Sequence, residues 1–195
     1  LLFGVIQIDS KTFQLDLKIS LMIELSVIVL VYNEENCLPI FLKRLEKAIN
    51  FTKNYEIILV IDPGTDQTEI LAMKFANQNK SIKVLIMSRK FGQPNAVLAG
   101  LENCSGKVVC VIDADLQDPP EIIPKLYNKL LKGYDVVSAK RSSRDGETFF
   151  KKVSTKFGYW LINITSEVKI PRDVGDFRIM TKKIVTYINK MNEQN

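Results

Sequence analysis

The chain has 195 residues, 46% hydrophobic and 25% charged, with a formal net charge of +5; such a balance fits one globular domain, or one with an appendage, and argues against wholesale disorder. Histidine is absent, which excludes Ser-His-Asp and Cys-His catalysis, histidine-containing zinc sites and histidine proton shuttles. Cys37, Cys104 and Cys110 form no CxxC pair, so they read as buried small hydrophobes of a reducing compartment, with no disulfide framework.

Apolar runs and helical patterns alternate in chain order. Residues 1–21 open on Leu-Leu-Phe-Gly-Val-Ile, soon broken by Asp9 and Lys11, with neither the basic leader nor the cleavage site of a signal peptide. They are expected to be an extension outside a main domain over 22–195. Ser26–Val31, Glu56–Ile61, Ile82–Met87, Val108–Ile112 and Asp135–Ala139 read as strands. Between them, Glu35–Ile49, Gln67–Ala76, Asn95–Glu102 and Pro119–Leu131 carry helical spacing. Continuous β-branched strands in β-α-β-α order predict an α/β fold with a parallel sheet covered on both faces. Ligands of such sheets bind at the carboxyl ends of the strands. No run of about 18 apolar residues occurs, so no transmembrane helix is expected.

After Ala139 the pattern changes. Between Ala139 and Arg172 stand eight basic and three acidic residues, an excess equal to that of the whole chain. Such a segment suits an anionic partner: phosphate, nucleic acid or lipid headgroups. Within it, Phe149–Ile164 is amphipathic at helical spacing. It reads either as a helix packed on the sheet or as one lying on an anionic membrane surface. Its aromatics follow helix periodicity, which fits burial or membrane better than stacked bases, so nucleic acid is not expected as a partner.

The chemistry concentrates at the strand ends. Val109–Ile112 delivers Asp113 and Asp115, two carboxylates at i and i+2 that can face one ligand. Without histidine or cysteine beside them, they favour a hard divalent cation, Mg2+ or Mn2+, bridging to substrate phosphates. Asp118 before Pro119 looks like a helix N-cap, with Glu121 completing a capping box. After the first strand, Tyr32 offers an aromatic face, and Asn33 and Glu34 polar side chains, for a base and ribose; Asn33 also reads as a simple helix cap. Asp62–Thr68 reads as a turn plus a cap. Arg89 and Lys90 put two cations at a strand end, suited to a diphosphate. No glycine-rich phosphate loop of GxGxxG or GxxxxGK[ST] type is present.

The ordered strings Val-Tyr-Asn-Glu-Glu, Asp-Pro-Gly-Thr-Asp-Gln-Thr, Ser-Arg-Lys-Phe-Gly and Asp-Ala-Asp-Leu-Gln-Asp-Pro-Pro-Glu resemble the family 2 glycosyltransferases of GT-A fold. The resemblance is strongest to the subgroup that transfers sugar to polyprenyl phosphate, the bactoprenol glucosyltransferases and dolichol-phosphate mannose synthases. It spans roughly Ile23–Tyr187 and takes in Gly146–Lys152 and Ile170–Arg178. It implies a GT-A domain with a mostly parallel central sheet and helices on both faces, incomplete at its C-terminal end because relatives continue further, many into transmembrane helices.

The resemblance also implies roles. Tyr32 and Glu34 lie in the nucleotide pocket and Asp62 near the base. Asp113 and Asp115 hold the metal and the sugar nucleotide, and Asp176 and Arg178 line the acceptor side. The implied reaction is a metal-dependent, inverting transfer of a hexose from a nucleotide-diphosphate sugar, UDP-glucose favoured, to a polyprenyl phosphate. Arg89 assists the leaving diphosphate. The implied location is the cytoplasmic face of the membrane, held peripherally; self-association is left open. Three positions depart from the family pattern: Leu30 where proline is frequent, Ile61 where a second acid is frequent, and Lys90 where asparagine is usual. Two rivals stand beside this reading: an inactive, truncated nucleotide-sugar-binding domain, and a nucleotidyltransferase of similar architecture.

Overall fold

The computed structural model describes residues 23–140 and 174–191, with the backbone alone for 174–176. The extension over 1–21, the amphipathic Phe149–Ile164 and the basic run from Arg141 to Arg172 lie outside the described residues.

Leu25–Val31 forms β1, buried along its whole length. Full burial is what an unbroken apolar run requires: parallel neighbours on both edges and helices on both faces. The neighbours are β2 (Tyr55–Ile61) and β4 (Val108–Asp113), and β3 (Ile82–Ile86) pairs in parallel beyond β2. The strand period of two divides these residues between two cores. Val27, Val29, Ile57 and Leu59 belong to one face, with α1 (Leu38–Ala48), α2 (Thr68–Gln78) and α4 (Ile123–Leu130). Ile28, Leu30, Ile58 and Val60 belong to the other, with α3 (Gln93–Asn103) and α5 (Lys182–Lys190). Leu38, Phe41, Leu42 and Leu45 are the buried stripe of α1, each contributing about 1.5–3 kcal/mol by burial. Among the described residues, no helix is long and apolar enough to cross a membrane.

The sheet is mostly parallel but mixed. Its order is β3-β2-β1-β4-β6-β5, where β5 is Val136–Lys140 and β6 is Val174–Thr181. β6 runs antiparallel to both β4 and β5 and separates them. The simple β-α-β-α pattern does not anticipate β6 or the helix α5 that follows it. Phe177 and Ile179 of β6 enter one core and Met180 the other.

Helix starts also differ from expectation, α3 beginning at Gln93 and not Asn95. α1 begins at Leu38, not Glu35, because residues 34–37 form a turn closed by Cys37 and Leu38 amides donating to the Glu34 carbonyl. The Glu121 half of the capping box expected at Asp118 does not form. Pro119 is extended (φ −74, ψ 117), takes the cap position of a short 3-10 turn over Pro120–Ile122, and receives no side-chain cap bond. Glu121 instead accepts two hydrogen bonds, both 2.8 Å, from the Arg44 guanidinium of α1. That pair is exposed, so Arg44→Ala is expected to leave the thermal midpoint nearly unchanged in thermal denaturation.

At the amino ends of the strands, Glu56 is buried within a polar staple. Its Oε1 accepts from the Ser26 hydroxyl (2.6 Å) and from the Ser105 amide and hydroxyl (2.7 Å each). Lys83 Nζ lies 2.7 Å from Oε2 as an ion pair, although no hydrogen bond of good geometry reaches that oxygen. The staple ties β1, β2, β3 and the α3–β4 loop together. Burial disfavours the charge on Glu56, but Lys83, Ser26 and Ser105 outweigh it and hold the carboxyl below its ordinary pKa.

Candidate active site

Register sets the site. Val31 pairs with Ile61 and Leu30 with Asp113, so β1, β2 and β4 end level. Their loops open onto one cleft of about 290 Å³. Its apolar floor is Leu30, Val60, Ala96 and Ala114, and its polar wall is Tyr32, Glu34, Asp62, Lys90, Gln93, Asp113 and Asp115. A cleft outside the carboxyl ends of parallel strands is where such folds bind ligands.

The loops after β1 and β2 are interlocked. The Asn33 side-chain carbonyl accepts from the Thr65 amide (2.9 Å), so this residue braces the neighbouring loop and is no helix cap. The Glu34 amide donates to the Thr68 hydroxyl (2.8 Å), the Glu35 amide to Asp66 (3.1 Å), and the Gln67 amide to Glu35 (2.9 Å). Desolvation works against the charge of Asp66, but hydrogen bonds from Thr68 and the Glu35 amide prevail and lower its pKa. Gly64 is obligatory in this lock: a Cβ there would stand 2.0 Å from Asn33 Oδ1. Gly64→Ala is expected to lower stability by roughly 1–3 kcal/mol, read as a fall in melting temperature, and to loosen the Tyr32 side of the cleft.

Asp62 is buried, and its carboxylate accepts from the Gly92 amide (3.1 Å) and, more weakly, the Phe91 amide (3.4 Å). It therefore shapes the β3–α3 loop as well as lining the cleft. Gly92, at φ +85, makes the turn that brings these amides to it. Of the two cations of this loop, Arg89 stacks over the Phe91 ring, 4.5 Å from its centroid, and does not line the cleft. Lys90 does line it, with Nζ 3.6 Å over the Tyr32 ring.

The acid pair is held asymmetrically. The Gln93 amide donates to both oxygens of Asp113, at 3.2 and 3.1 Å. Asp115 Oδ1 accepts from the Gln117 amide (3.0 Å) in a turn whose Leu116 has φ +63, a conformation that costs a bulky residue roughly 1–3 kcal/mol. Among the described residues, none donates a hydrogen bond to Asp115 Oδ2. Cys37, expected to be buried like the buried Cys104 and Cys110, is only half-buried. A hydrogen bond with Glu34, then desolvation, raises its pKa.

Of the residues expected to bind donor or metal, Tyr32, Glu34, Asp62, Asp113 and Asp115 thus share one cleft, and Arg89 does not line it. Arg178 lies opposite Val111 on β6, below the cleft, and does not line it. The backbone of Asp176 lies near the start of β6, which runs antiparallel to β4, and so toward the end of the sheet that carries Asp113. Sequence reasoning gave no role to Gln93, whose only signal was its place in the first turn of a helix after a glycine.

Architecture and cleft define the class: an α/β domain of GT-A type. The model of the family described as "Glycosyl transferase family 2" matches residues 26–188, and the chain belongs to that family. It is 42% identical over 173 residues to an uncharacterized glycosyltransferase of Synechocystis sp., covering 88% of this chain and 54% of that protein. It is 38% identical over 174 residues to a prophage bactoprenol glucosyl transferase homolog of Escherichia coli, covering 88% and 56%. The chain spans about half the length of these curated relatives. Among solved structures, S. aureus TarS 1-349 in complex with UDP-GlcNAc superimposes with a TM-score of 0.53 at 26% identity, covering 65% of this chain and 36% of that one.

Proposed function

We propose that the chain carries the donor site of a transferase that moves a hexose from a nucleotide-diphosphate sugar, UDP-glucose favoured, to a polyprenyl phosphate at the membrane surface. The observation that carries this reading is the convergence of Tyr32, Lys90, Asp113 and Asp115 on one cleft at the strand ends. The acceptor class rests on the likeness to the bactoprenol glucosyl transferase homolog.

The donor set fits a hard divalent ion. Asp113 and Asp115 are two carboxylates facing the cleft, and the described residues hold no cluster of three acids, cysteines or histidines. Mg2+ and Mn2+ sites of this kind use one or two carboxylates and complete their shell with phosphate and water. When bound, the ion neutralises charge on the departing diphosphate. Gln93 fixes the rotamer of Asp113, and the Leu116 turn fixes Asp115. Tyr32 presents the face against which a base and ribose stack. The acceptor phosphate is anionic at neutral pH, so its oxygen attacks the anomeric carbon without needing a strong base. The bond from that carbon to the diphosphate oxygen breaks, the nucleoside diphosphate leaves with the electron pair, and the anomeric centre inverts. Asp176 orients the acceptor.

The test uses UDP-glucose labelled in the sugar, with undecaprenyl phosphate in detergent and Mn2+. Label entering the lipid phase with release of UDP supports the reading. In a parallel assay with UTP and glucose 1-phosphate, formation of UDP-glucose with release of pyrophosphate supports the nucleotidyltransferase rival instead. UDP-glucose bound but never transferred supports a binding domain alone.

A further inference from the structure

We propose that Lys90 is a specificity-determining residue that exchanges partners on binding: a base stacking on Tyr32 displaces the Lys90 ammonium from the ring and delivers it to the diphosphate. The inference rests on the nucleotide-sugar reading above and concerns how the cleft selects diphosphates. Three observations carry it. First, the Lys90 ammonium stands 3.6 Å over the Tyr32 ring, in space that a base would need in order to stack on that face. Second, the polar wall is anionic: Glu34, Asp62, Asp113 and Asp115 face a single basic side chain among the described lining residues, Lys90. A diphosphate entering such a wall meets like charge unless a cation accompanies it, and Lys90 is the cation the chain itself supplies. Third, among the described residues Lys90 forms no ion pair and its ammonium rests on the Tyr32 ring, whereas Arg89, the other cation of the loop, stacks on Phe91 and does not line the cleft. An ammonium held only by a ring face is held weakly where solvent reaches it, and its flexible stem lets it move to a phosphate.

The exchange predicts changes of opposite sign, which a merely structural role would not produce. The probes are uridine, UDP, guanosine and GDP, titrated in EDTA against wild type, Lys90→Met and Lys90→Arg by calorimetry or ligand-observed NMR. For the base that binds, Lys90→Met is expected to tighten the nucleoside about 2- to 5-fold, because the ring face is freed. It is expected to weaken the diphosphate about 10-fold or more, because a charge-assisted contact is lost. Lys90→Arg keeps the diphosphate within about 3-fold of wild type, since it keeps the charge. An unchanged thermal midpoint certifies the fold, as Lys90 is exposed. If Lys90→Met shifts both ligands in the same direction or neither, or if wild type binds diphosphate only with Mn2+, the exchange is wrong while the nucleotide-sugar reading stands. If wild type binds neither UDP nor GDP even with Mn2+, that reading fails and the exchange with it.

Discussion

Asp115→Ala is expected to weaken Mn2+-dependent binding of UDP by about 100-fold or more, since a metal–phosphate bridge is worth several kcal/mol. The fold should survive the change. Among the described residues, Asp115 accepts one hydrogen bond, from the Gln117 amide of its own turn, so the stability cost is about 1 kcal/mol. Nucleoside binding without phosphate should hardly move, because Tyr32 is untouched. Asp113→Asn should weaken metal binding less cleanly, since it also disturbs the double contact with Gln93. Calorimetric titration of UDP with and without Mn2+ checks both. Equal UDP affinity in wild type and Asp115→Ala with Mn2+ present would remove Asp115 from any metal site.

The second large effect lies at the other end of the sheet. Glu56→Ala is expected to cost about 3 kcal/mol, because it strands the Ser26 hydroxyl and the Ser105 amide and hydroxyl in a buried place. For a domain of this size that is a fall of roughly 6–12 °C in melting temperature. The pH dependence has a definite sign. The folded pKa of Glu56 lies below its unfolded value. Its contribution is therefore complete above the unfolded carboxyl pKa, about 4.3, and is lost as pH falls through the folded value. Wild type should lose stability steeply below about pH 4, and Glu56→Gln less steeply over that range. Thermal melts from pH 3 to 7 measure this. Parallel curves for the two proteins would mean that the charge of Glu56 contributes nothing. The staple is remote from the cleft, so UDP binding well below the melting temperature should be unchanged.

Much of this architecture is legible in the sequence because the parallel core is local in character. β1, β2 and β4 are apolar runs that only a doubly covered sheet can bury, and β1 and β4 are followed by helices with a buried apolar stripe. The acid pair was legible for the same reason, since a carboxylate at the end of a buried strand has to open on the carboxyl edge. β6 was not legible. Val174–Thr181 mixes Gly175, Asp176 and Arg178 with its apolar residues, and its partner strands β4 and β5 are distant in sequence. Nothing local marks a strand that inserts between two earlier ones. The choice between Arg89 and Lys90 was equally hidden. Adjacent loop residues diverge, and only the Phe91 and Tyr32 rings decide which cation faces the cleft. The expected helix start was displaced for a local reason: Pro119 stays extended, Pro120 opens the 3-10 turn, and the Glu121 carboxylate turns to Arg44.

The most direct test of the central claim, a nucleotide-sugar donor site at the strand ends, is calorimetric titration of UDP-glucose and of GDP-mannose, each with and without Mn2+. The account predicts saturable binding of one of them, UDP-glucose favoured, strengthened by Mn2+. A folded sample that binds neither, with or without the metal, would contradict it.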